Sequence, residues 1–299
     1  MLKSRLCIAF FAFAVGCAPA QKPLTDYVNP MLGTATLWDS VDLGFKPTKR
    51  TWGAEVFPGS SLPNAMVQVS PVTKFHSGAG YQYEDSVIYG FTHTNKGHWN
   101  LCHIPLLPVT GTPTPGDYCS PFSHERESAA PGYYQVFLDR YGVDAQLSST
   151  LRCAFHKYTY PAGAAPAVLA DLQRSNEHVR AWDIRKEGDN VFAGWQQTGE
   201  KMYFYAVANR PVTGIEPVVE GDREVRIVRF GEGDGALELR IGFSFVSEKN
   251  ARENLEAEML GKSFAEVRSE ATATWNDLLG RIRVEGGTER EKGLVYSSL

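Results

Sequence analysis

The chain has 299 residues and a formal net charge of −4; 43% of its residues are hydrophobic, 12% aromatic and 21% charged. This composition indicates a folded globular protein, and a sequence without a basic stripe argues against a nucleic-acid partner. The length suffices for one large domain or two of ordinary size.

The first 20 residues have the pattern of an export leader. Lys3 and Arg5 precede an apolar run, Leu6 to Val15, that is too short to span a bilayer. Ala14-Val-Gly-Cys17 resembles a lipobox, which would make Cys17 the lipidated first residue of the mature protein. Ala18-Pro-Ala20 is an alternative signal-peptidase site. We favour lipidation because small residues lead directly to the cysteine, and either route places the protein in the periplasm or at the outer cell surface.

Three loop-like segments in the first third of the chain combine glycine, proline, aromatic residues and histidine. They are Tyr27–Thr34, Glu55–Pro63 and Tyr89–Trp99. Loops of this kind often carry binding residues on a rigid scaffold. In the second segment Pro58-Gly59 predicts a type II turn, because proline sets the first central torsion and glycine accepts the positive second one. A tryptophan and a carboxylate flank this turn, which makes both candidates for contacting a ligand.

The third segment leads into a dense group of functional side chains. His93, His98, Cys102 and His103 fall within eleven residues. A zinc site is one interpretation, although the spacing differs from that of zinc fingers and zincins. Hydrogen-bonded structural histidines are a second. Sugar binding is a third, because histidine and asparagine can donate to hydroxyl groups and Trp99 offers a stacking face.

On the sugar-binding interpretation, polar and aromatic residues in and directly beside the last two segments contact the ligand. The candidates are Trp52, Glu55, His93, Thr94, Asn95, His98, Trp99 and Asn100. Farther along, Arg174 is either an exposed loop cation or a contact for an acidic substrate. The sequence contains no G-x-S-x-G elbow, P-loop or HExxH motif, and no pair of acidic residues has a spacing that marks an acid/base couple.

Three cysteines follow the leader: Cys102, Cys119 and Cys153. Their odd number and irregular spacing do not indicate a disulfide framework. A single bridge between Cys102 and Cys119 and buried free thiols are both open interpretations.

Short strands and turns dominate from Gly132 to Val246. Alternation is clearest in a run that predicts one long strand: Leu237, Leu239, Ile241, Phe243 and Phe245. Met202–Val207 reads as a strand buried on both faces. Gly188-Asp-Asn190 predicts a hairpin, and Gly231–Gly235 predicts a hairpin tip. Many short strands without intervening helices indicate a large β-sandwich over residues 24–247.

The hydrophobic period changes after the last strand. One apolar face predicts a helix: Phe264, Val267, Ala271, Trp275, Leu278 and Ile282. Ser263 with Glu266 forms a capping box at its start, and Thr288 with Glu291 forms a second. The helix that begins there reaches only the last residue, and a free helix shorter than about 12–15 residues is marginal in water. We therefore predict a fragment in which residues 248–299 are linker helices and the start of a truncated domain.

These motifs, in this order, resemble the N-terminal domain of glycoside hydrolase family 92. Gly90-Phe-Thr-His-Thr94 is similar to the family's Gly-Phe-Ser-His-Thr, and Phe57-Pro-Gly-Ser60 to its Phe-Pro-Gly-Ala turn. Gly293–Leu299 resembles the first helix of the family's α/α barrel. Asn95–Asn100 departs from the Ser-Gly-Thr-Gly-type residues of most α-1,2-specific members, which leaves the linkage preference open.

The resemblance implies a calcium-dependent, inverting exo-α-mannosidase that degrades mannose-containing glycans, N-glycans among them. In the family both catalytic carboxylates and most calcium ligands lie in the α/α barrel, which is missing from this chain. The resemblance therefore implies no catalytic and no metal-binding residue here, and an inactive fragment when alone. Its role would be to complete the mannose pocket and to support the barrel, with membrane contact only through the lipid anchor.

Two other classes of function stay open. The chain could be a free-standing secreted carbohydrate-binding sandwich without hydrolase activity. It could also be a secreted structural module without a sugar site, in which Trp99 and His93 are core residues. Exposure of Trp99 to solvent distinguishes these two alternatives.

Overall fold

The computed structural model describes residues 22–36, 56–96 and 99–299, and within them two antiparallel β-sheets pack face to face. Three α-helices follow the last strand. The predicted class, a mainly-β sandwich followed by helices, is confirmed.

Nineteen strands are described in these ranges, and most of them are short. In chain order they are β1 Ser60–Ser61, β2 Gln68–Val72, β3 Val87–Ile88, β4 Gly90–Thr92, β5 Asn95–Lys96, β6 Trp99–Asn100, β7 Leu106–Val109, β8 Ser120–Pro121, β9 Glu127–Ala130, β10 Tyr133–Leu138, β11 Val143–Ser149, β12 Cys153–Thr159, β13 Ala167–Ala170, β14 Ala181–Gly188, β15 Val191–Gln197, β16 Lys201–Ala208, β17 Val212–Glu220, β18 Arg223–Phe230 and β19 Leu237–Ser244.

The strands form two large sheets and two small ribbons. The seven-stranded sheet has the order β1-β2-β4-β7-β13-β18-β17, and the eight-stranded sheet has the order β14-β15-β16-β19-β12-β11-β10-β9. β3 pairs with β8 and β5 pairs with β6 in the two ribbons. The β5–β6 ribbon lies in the connection from β4 to β7. This connection contains most of the candidate substrate-binding residues.

The main core fills the space between the two sheets, and alternating strands supply its side chains. On β19 the inward-facing residues are buried as the alternation predicts: Leu237, Leu239, Ile241 and Phe243. Phe245 continues the same sequence pattern, but it lies beyond the end of β19 and is 38% exposed. The alternation therefore identifies the buried face of this strand but extends past its end.

Two other strand predictions are wrong. β16 is buried on one face only: Phe204 belongs to the main core, whereas Tyr205 on the outer face is half-buried under a helix. Gly231–Gly235 is not a hairpin tip, because it connects β18 of the seven-stranded sheet to β19 of the eight-stranded sheet. The predicted hairpin at Gly188-Asp-Asn190 is present between β14 and β15.

The helices are α1 (Glu248–Glu258), α2 (Phe264–Leu279) and α3 (Glu289–Ser298). Short 3-10 helices span Leu24–Tyr27 and His124–Arg126. Both predicted capping boxes are present at the N-termini of α2 and α3. The predicted apolar face of α2 is correct over its first turns, but Leu279 rather than Leu278 is its last buried residue, and Ile282 lies beyond the helix and is exposed.

Helices α1 and α2 cover part of the outer face of the eight-stranded sheet. Their apolar side chains form a second buried cluster with residues of β10 and β12: Tyr133, Cys153, Phe155, Leu255, Met259, Phe264 and Val267. α1 approaches β19 most closely at Gly242, where an added Cβ would overlap the Ala251 carbonyl oxygen and lie 2.8 Å from Leu255 Cβ. Glycine is therefore required here by the helix packing.

α3 packs against the 3-10 helix at the start of the described chain. The rings of Tyr27 and Tyr296 lie 5.6 Å apart between centroids, and the Tyr296 hydroxyl donates to the Ile282 carbonyl at 3.2 Å. The Asn29 N–H donates to Ser297 Oγ at 2.8 Å. Tertiary contacts thus hold a ten-residue helix that would be marginal in isolation.

Residues from three distant motifs meet beneath α3 in an apolar pocket of about 170 Å³. Its walls include Val28 and Pro30, Phe57 and Gly59, and Trp275 with Leu279. Trp275 Nε1–H also donates to the Ser61 carbonyl at 2.8 Å. These motifs therefore build the junction between the sandwich and the helices.

The predicted type II turn at Pro58-Gly59 is wrong, because Gly59 does not have a positive φ. Glycine is needed for another reason: an added Cβ would overlap the Val69 carbonyl oxygen and lie 2.7 Å from Ser70 Cα. Gly59 therefore permits the close approach of this loop to β2.

A pair of buried histidines connects the two sheets through the core. His93 follows β4 of the seven-stranded sheet, His156 lies on β12 of the eight-stranded sheet, and their Nε2 atoms are 3.0 Å apart. The Tyr158 hydroxyl donates to His156 Nδ1 at 2.6 Å, and His93 Nδ1 lies 3.4 Å from the His103 carbonyl. These partners are satisfied when both rings are neutral: His156 Nε2–H donates to His93 Nε2, and His93 Nδ1–H donates to the carbonyl.

Burial lowers the pKa of His93 to about 3 and the pKa of His156 well below its ordinary value. An added proton on His93 Nε2 would face the His156 Nε2–H and leave two donors opposed in the core. The pair is therefore a neutral bridge between the sheets at physiological pH.

We expect Gly242→Ala to lower the free energy of unfolding by about 2 kcal/mol or more, because the added methyl overlaps the backbone of α1. Gly214→Ala on β17 is the matched control, since an added Cβ there meets nothing within 4 Å. Its effect should stay within about 1 kcal/mol. Urea denaturation of the protein and both variants measures the difference, and equal losses would contradict the packing described for α1.

The histidine bridge predicts acid sensitivity. Both rings are neutral when folded and protonate near pH 6.5 when unfolded, so their contribution to stability is present above that pH and is lost as the pH falls toward 3. Each ring adds about 1.4 kcal/mol per pH unit to the slope within that window. His156→Gln should lower stability at pH 7.5 and make the slope between pH 6 and 4.5 shallower, as determined by urea denaturation at several pH values. The exposed His178→Gln is the control, and identical slopes in the two variants would show that the bridge does not titrate as described.

Candidate functional site

The connection from β4 to β7 folds back on itself as the β5–β6 ribbon. Asn95 pairs with Asn100 and Lys96 with Trp99. His93, Thr94 and Asn100 are buried at the base of the ribbon, whereas Trp99 is 39% exposed. The ribbon therefore presents an aromatic ring to solvent above a polar, buried base.

A chain of side-chain hydrogen bonds fixes the base of the ribbon to the opposite sheet. Thr94 Oγ1 lies 2.8 Å from His103 Nδ1, and His103 Nε2 lies 3.0 Å from Thr198 Oγ1 at the end of β15. The Thr198 hydroxyl donates to Glu177 Oε2 at 2.6 Å. Thr198 must then accept from His103 Nε2–H, and Thr94 must donate to His103 Nδ1. Burial lowers the pKa of His103 to about 4, which keeps this tautomer neutral.

Two buried amides hold the other side of the ribbon. The Asn100 carboxamide accepts from the Cys102 N–H at 2.7 Å and donates to the Ala79 carbonyl at 3.3 Å. Asn176 Nδ2 donates to the Asn100 carbonyl at 2.6 Å, and Asn176 Oδ1 accepts from the His76 N–H at 2.6 Å. Loops 76–80 and 174–177 are thereby joined to the ribbon.

The return of the chain from the ribbon to β7 is strained. Cys102 and Ile104 have φ angles of 54° and 53°, in the left-handed region that β-branched residues avoid. The Ile104 N–H donates to the buried Gln196 side chain at 2.8 Å, which compensates for part of the strain. Backbone strain of this kind persists only where many surrounding contacts fix the conformation. It is found most often at functional sites.

Asn95 is the other residue of the ribbon with capacity for a ligand. Both atoms of its carboxamide are inaccessible to solvent and have no hydrogen-bond partner in the part of the chain that the structure describes. Buried amides are normally satisfied, so an orphaned one marks a place where a further partner is expected. Asn95 and Trp99 are thus the ribbon residues whose bonding or stacking capacity is unused.

A groove of about 760 Å³ runs beside the ribbon along residues 173–182. It is lined by His76, Gln173, Arg174, Ser175, Glu177, His178, Val179, Arg180, Ala181 and Trp182. Its wall is continuous with the ribbon, because Ser175 Oγ donates to the Leu101 carbonyl at 2.6 Å. The groove wall and the base of the ribbon are therefore joined by hydrogen bonds at Ser175 and Asn176.

The described residues contain no group of three or more His, Cys, Asp or Glu side chains arranged to hold a metal ion. His93 and His103 use their ring nitrogens in the hydrogen bonds above, and burial raises the pKa of the Cys102 thiol. This arrangement does not fit the zinc interpretation.

The predicted site residues divide into three groups. Trp99 is exposed, and Asn95 is half-buried, with a carboxamide that is inaccessible to solvent and unpaired. His93, Thr94 and Asn100 have no exposed surface for a sugar in this structure and support the ribbon instead. The remaining predictions lie outside the described residues: Cys17, Trp52, Glu55 and His98.

The sequence pattern does not reveal the distant residues that hydrogen-bond to the ribbon and its base. His156 and Gln196 lie on strands of the opposite sheet, Thr198 directly follows β15, and Asn176 follows β13. Each is a polar residue at a position buried by tertiary packing. A polar residue at an inward-facing position of an alternating strand can reveal a buried hydrogen-bond partner. His156, which shares its face of β12 with Ala154 and Tyr158, is an example.

The three cysteines in the described ranges are free; Cys102 and Cys153 are buried and Cys119 is half-buried. Of the two interpretations, free thiols are therefore correct and a bridge between Cys102 and Cys119 is not formed. Burial raises the pKa of each thiol. Among the described helices, none combines the length and the apolarity needed to cross a bilayer.

Comparison with solved structures identifies similar architectures. A family GH92 α-mannosidase from Bacteroides thetaiotaomicron is 25% identical, with a TM-score of 0.80 over 93% of this chain and 41% of that chain. A family GH92 inverting mannosidase from Bacteroides thetaiotaomicron VPI-5482 is 24% identical, with a TM-score of 0.78 over 93% of this chain and 39% of that chain. The second similarity concerns the fold alone.

A curated protein of Arthroderma benhamiae, described as an uncharacterized secreted glycosidase, is 24% identical over 87% of this chain and 38% of its own length. The chain thus spans about two fifths of the length of the relatives it matches. The model of the glycosyl hydrolase family 92 N-terminal domain matches residues 27–254, and that of the family's catalytic domain matches residues 250–299. The chain belongs to glycoside hydrolase family 92.

Proposed function

We propose that this chain is the N-terminal part of an exported exo-α-mannosidase and that its β5–β6 ribbon completes the pocket for a mannose-containing glycan. The observation that carries the proposal is the exposed Trp99 on a ribbon fixed by buried hydrogen bonds. A flat, exposed aromatic ring on such a ribbon is suited to stacking on a pyranose. The α-mannosidase relative with 25% identity supports mannose as the sugar.

The ribbon would act by positioning the sugar. Trp99 would contact one face of the ring. The unpaired carboxamide of Asn95 is inaccessible to solvent in this structure, so it would accept from and donate to hydroxyl groups only after a local movement of the ribbon. His93, His103 and Asn100 would hold these two residues in place from below. Binding energy of this kind aids the reaction when it orients the scissile bond.

The chemistry itself would be performed by a following domain. An inverting glycosidase needs an acid and a base whose carboxyl groups lie about 6.5–9.5 Å apart. We assign neither role to this chain, because its deeply buried carboxylates are used elsewhere: Asp171 pairs with Arg223, and Glu127 accepts from Tyr81 and Tyr134. We likewise place the calcium ligands outside the described residues, and calcium would supply a positive charge that holds the sugar.

Residues 248–299 would connect the sandwich to that domain. Their match to the catalytic-domain model supports this division, with the sandwich over residues 24–247 and a leader over residues 1–20. Several apolar side chains at this end are exposed, as expected of a surface that packs against more protein: Ile282, Leu294, Val295 and Leu299. Export, and lipidation at Cys17, remain part of the proposal; the name of the fungal relative supports secretion.

A second candidate function is a carbohydrate-binding sandwich that works without hydrolysis. The exposure of Trp99 favours it over a structural module, although the burial of His93 is the placement expected in such a module. The two candidates differ in whether hydrolysis accompanies binding, so an activity assay separates them.

In the full-length protein we expect Trp99→Ala to reduce kcat/KM for an α-mannoside by about 10- to 100-fold, through loss of stacking and of orientation. Trp195→Ala is the matched control, because Trp195 is a partly exposed tryptophan on β15 that stacks with Lys201. Release of mannose from a mannosyl disaccharide measures both. Equal losses in the two variants would remove the ribbon from the proposed pocket.

We also expect chelation of divalent cations to abolish mannose release by the full-length protein, and added calcium to restore it. Residues 1–299 alone should release no mannose with or without calcium, because the catalytic carboxylates would be absent. The measurement is a mannose-release assay with the chelator, then with excess calcium. Hydrolysis by the isolated chain would contradict the placement of the carboxylates in a following domain.

A further inference from the structure

Arg174 lines one wall of the groove and packs against two aromatic rings. Its guanidinium carbon lies 4.4 Å from the centroid of the Phe75 ring and 5.0 Å from that of Tyr89. Two aromatic faces therefore hold the guanidinium by cation–π contacts. Such stacking leaves the N–H groups at the edge of the guanidinium directed away from the rings.

Most of those N–H groups have no protein acceptor in the described part of the chain. The one side-chain hydrogen bond of Arg174 is from Nη1 to the Tyr118 hydroxyl, at 3.3 Å. No described carboxylate lies within ion-pair distance of it, and Asp171, which accepts from the same tyrosine, is paired with Arg223 at 2.6 Å. A rigid guanidinium without a carboxylate partner is well suited to bind an anion through two parallel hydrogen bonds.

The rest of the groove has the same electrostatic character. His76, His178 and Arg180 line it and are exposed, and Glu177 is its single acidic residue. Glu177 is already engaged by the Thr198 hydroxyl at 2.6 Å. The lining holds two permanent cations, Arg174 and Arg180, against one carboxylate, and the volume of about 760 Å³ is that of a small-molecule site.

Trp182 lines the same groove; its half-buried ring packs against the main core, and the guanidinium carbon of Arg226 lies 5.3 Å from the ring centroid. Trp182 lies directly opposite Gln196 in the β14–β15 register, so both side chains are on one face of the sheet. Gln196 Nε2 donates to the Arg174 carbonyl at 2.9 Å, which places Trp182 beside the Arg174 segment. An indole ring next to a guanidinium matches a sugar that carries an anionic substituent.

We propose that this groove binds an acidic saccharide residue, with its carboxylate or sulfate on Arg174 and its ring against Trp182. The inference rests on the proposed function in taking the ligand to be a saccharide. It extends that function by giving the protein a second binding element for negatively charged glycans next to the ribbon.

Calorimetric titration of the full-length protein with methyl α-D-glucuronide, methyl α-D-glucopyranoside and sodium sulfate tests the proposal. We expect the glucuronide to bind at least about tenfold more tightly than the neutral glucoside, the difference made by one charge-assisted bidentate contact. Arg174→Gln should remove that preference, and Arg174→Lys should restore part of it. Trp182→Leu should weaken the glucuronide and leave sulfate unchanged.

Arg268→Gln is the matched control, because Arg268 also stacks on an aromatic ring, at 3.6 Å from the Tyr133 centroid, but lies on α2. It should bind the glucuronide like the unmodified protein. Equal affinity for glucuronide and glucoside, or equal losses in Arg174→Gln and Arg268→Gln, would overturn the proposal. Sulfate binding as tight as glucuronide binding, with no effect of Trp182→Leu, would overturn the saccharide part.

The same preparations separate this proposal from the mannosidase proposal. Mannose release without glucuronide binding would overturn only the acidic-saccharide groove. Glucuronide binding without mannose release would overturn only the mannosidase. Far-UV circular dichroism of each variant confirms that a loss of binding is not a loss of fold, and Arg174→Lys provides the readout if Arg174→Gln does not fold.

Discussion

The candidate site depends on polar bridges that cross the interior of the sandwich. His93 with His156, and His103 with Thr198, connect the loop between β4 and β7 to the opposite sheet. Hydrogen bonds in a low-dielectric core are strong when satisfied and costly when broken. A loop fixed in this way can hold an exposed tryptophan and strained residues at Cys102 and Ile104, which a loop on the surface could not retain.

The second constraint is the junction between the sandwich and its helices. Motifs separated by more than 200 residues meet around Phe57 and Trp275, and Trp275 is bonded to the Ser61 carbonyl. The last helix, too short to be stable alone, is held by Tyr27 and Tyr296. The motifs that reveal the family are therefore of two kinds. Those at the junction position one part of the protein against another, whereas those near the ribbon would, on the proposed function, shape a surface for a ligand.

The two proposed binding elements share one scaffold. Asn176 and Ser175 join the Arg174 segment to the ribbon, so the groove and Trp99 are held by the same set of buried hydrogen bonds. The ribbon offers an apolar ring and a free amide, and the groove offers a cation. Together they would accept a ligand with a neutral sugar at one end and a charged one nearby. A substitution in the buried network should thus disturb both elements, while one at Trp99 or Arg174 should disturb only its own.

The sequence by itself determined the sandwich class, the inward face of β19, the β14–β15 hairpin and both capping boxes, because local alternation and capping leave a signature in consecutive residues. It also led to the segment 93–100 as the candidate site. Only the tertiary structure decided which of those residues are accessible: it buried His93 against His156 and left Trp99 in solvent. It likewise decided that Gly231–Gly235 crosses between sheets and that Gly59 serves a close backbone approach. The reason is physical: burial and pairing depend on residues far apart in the chain, and local patterns carry no information about which distant strand will be the neighbour.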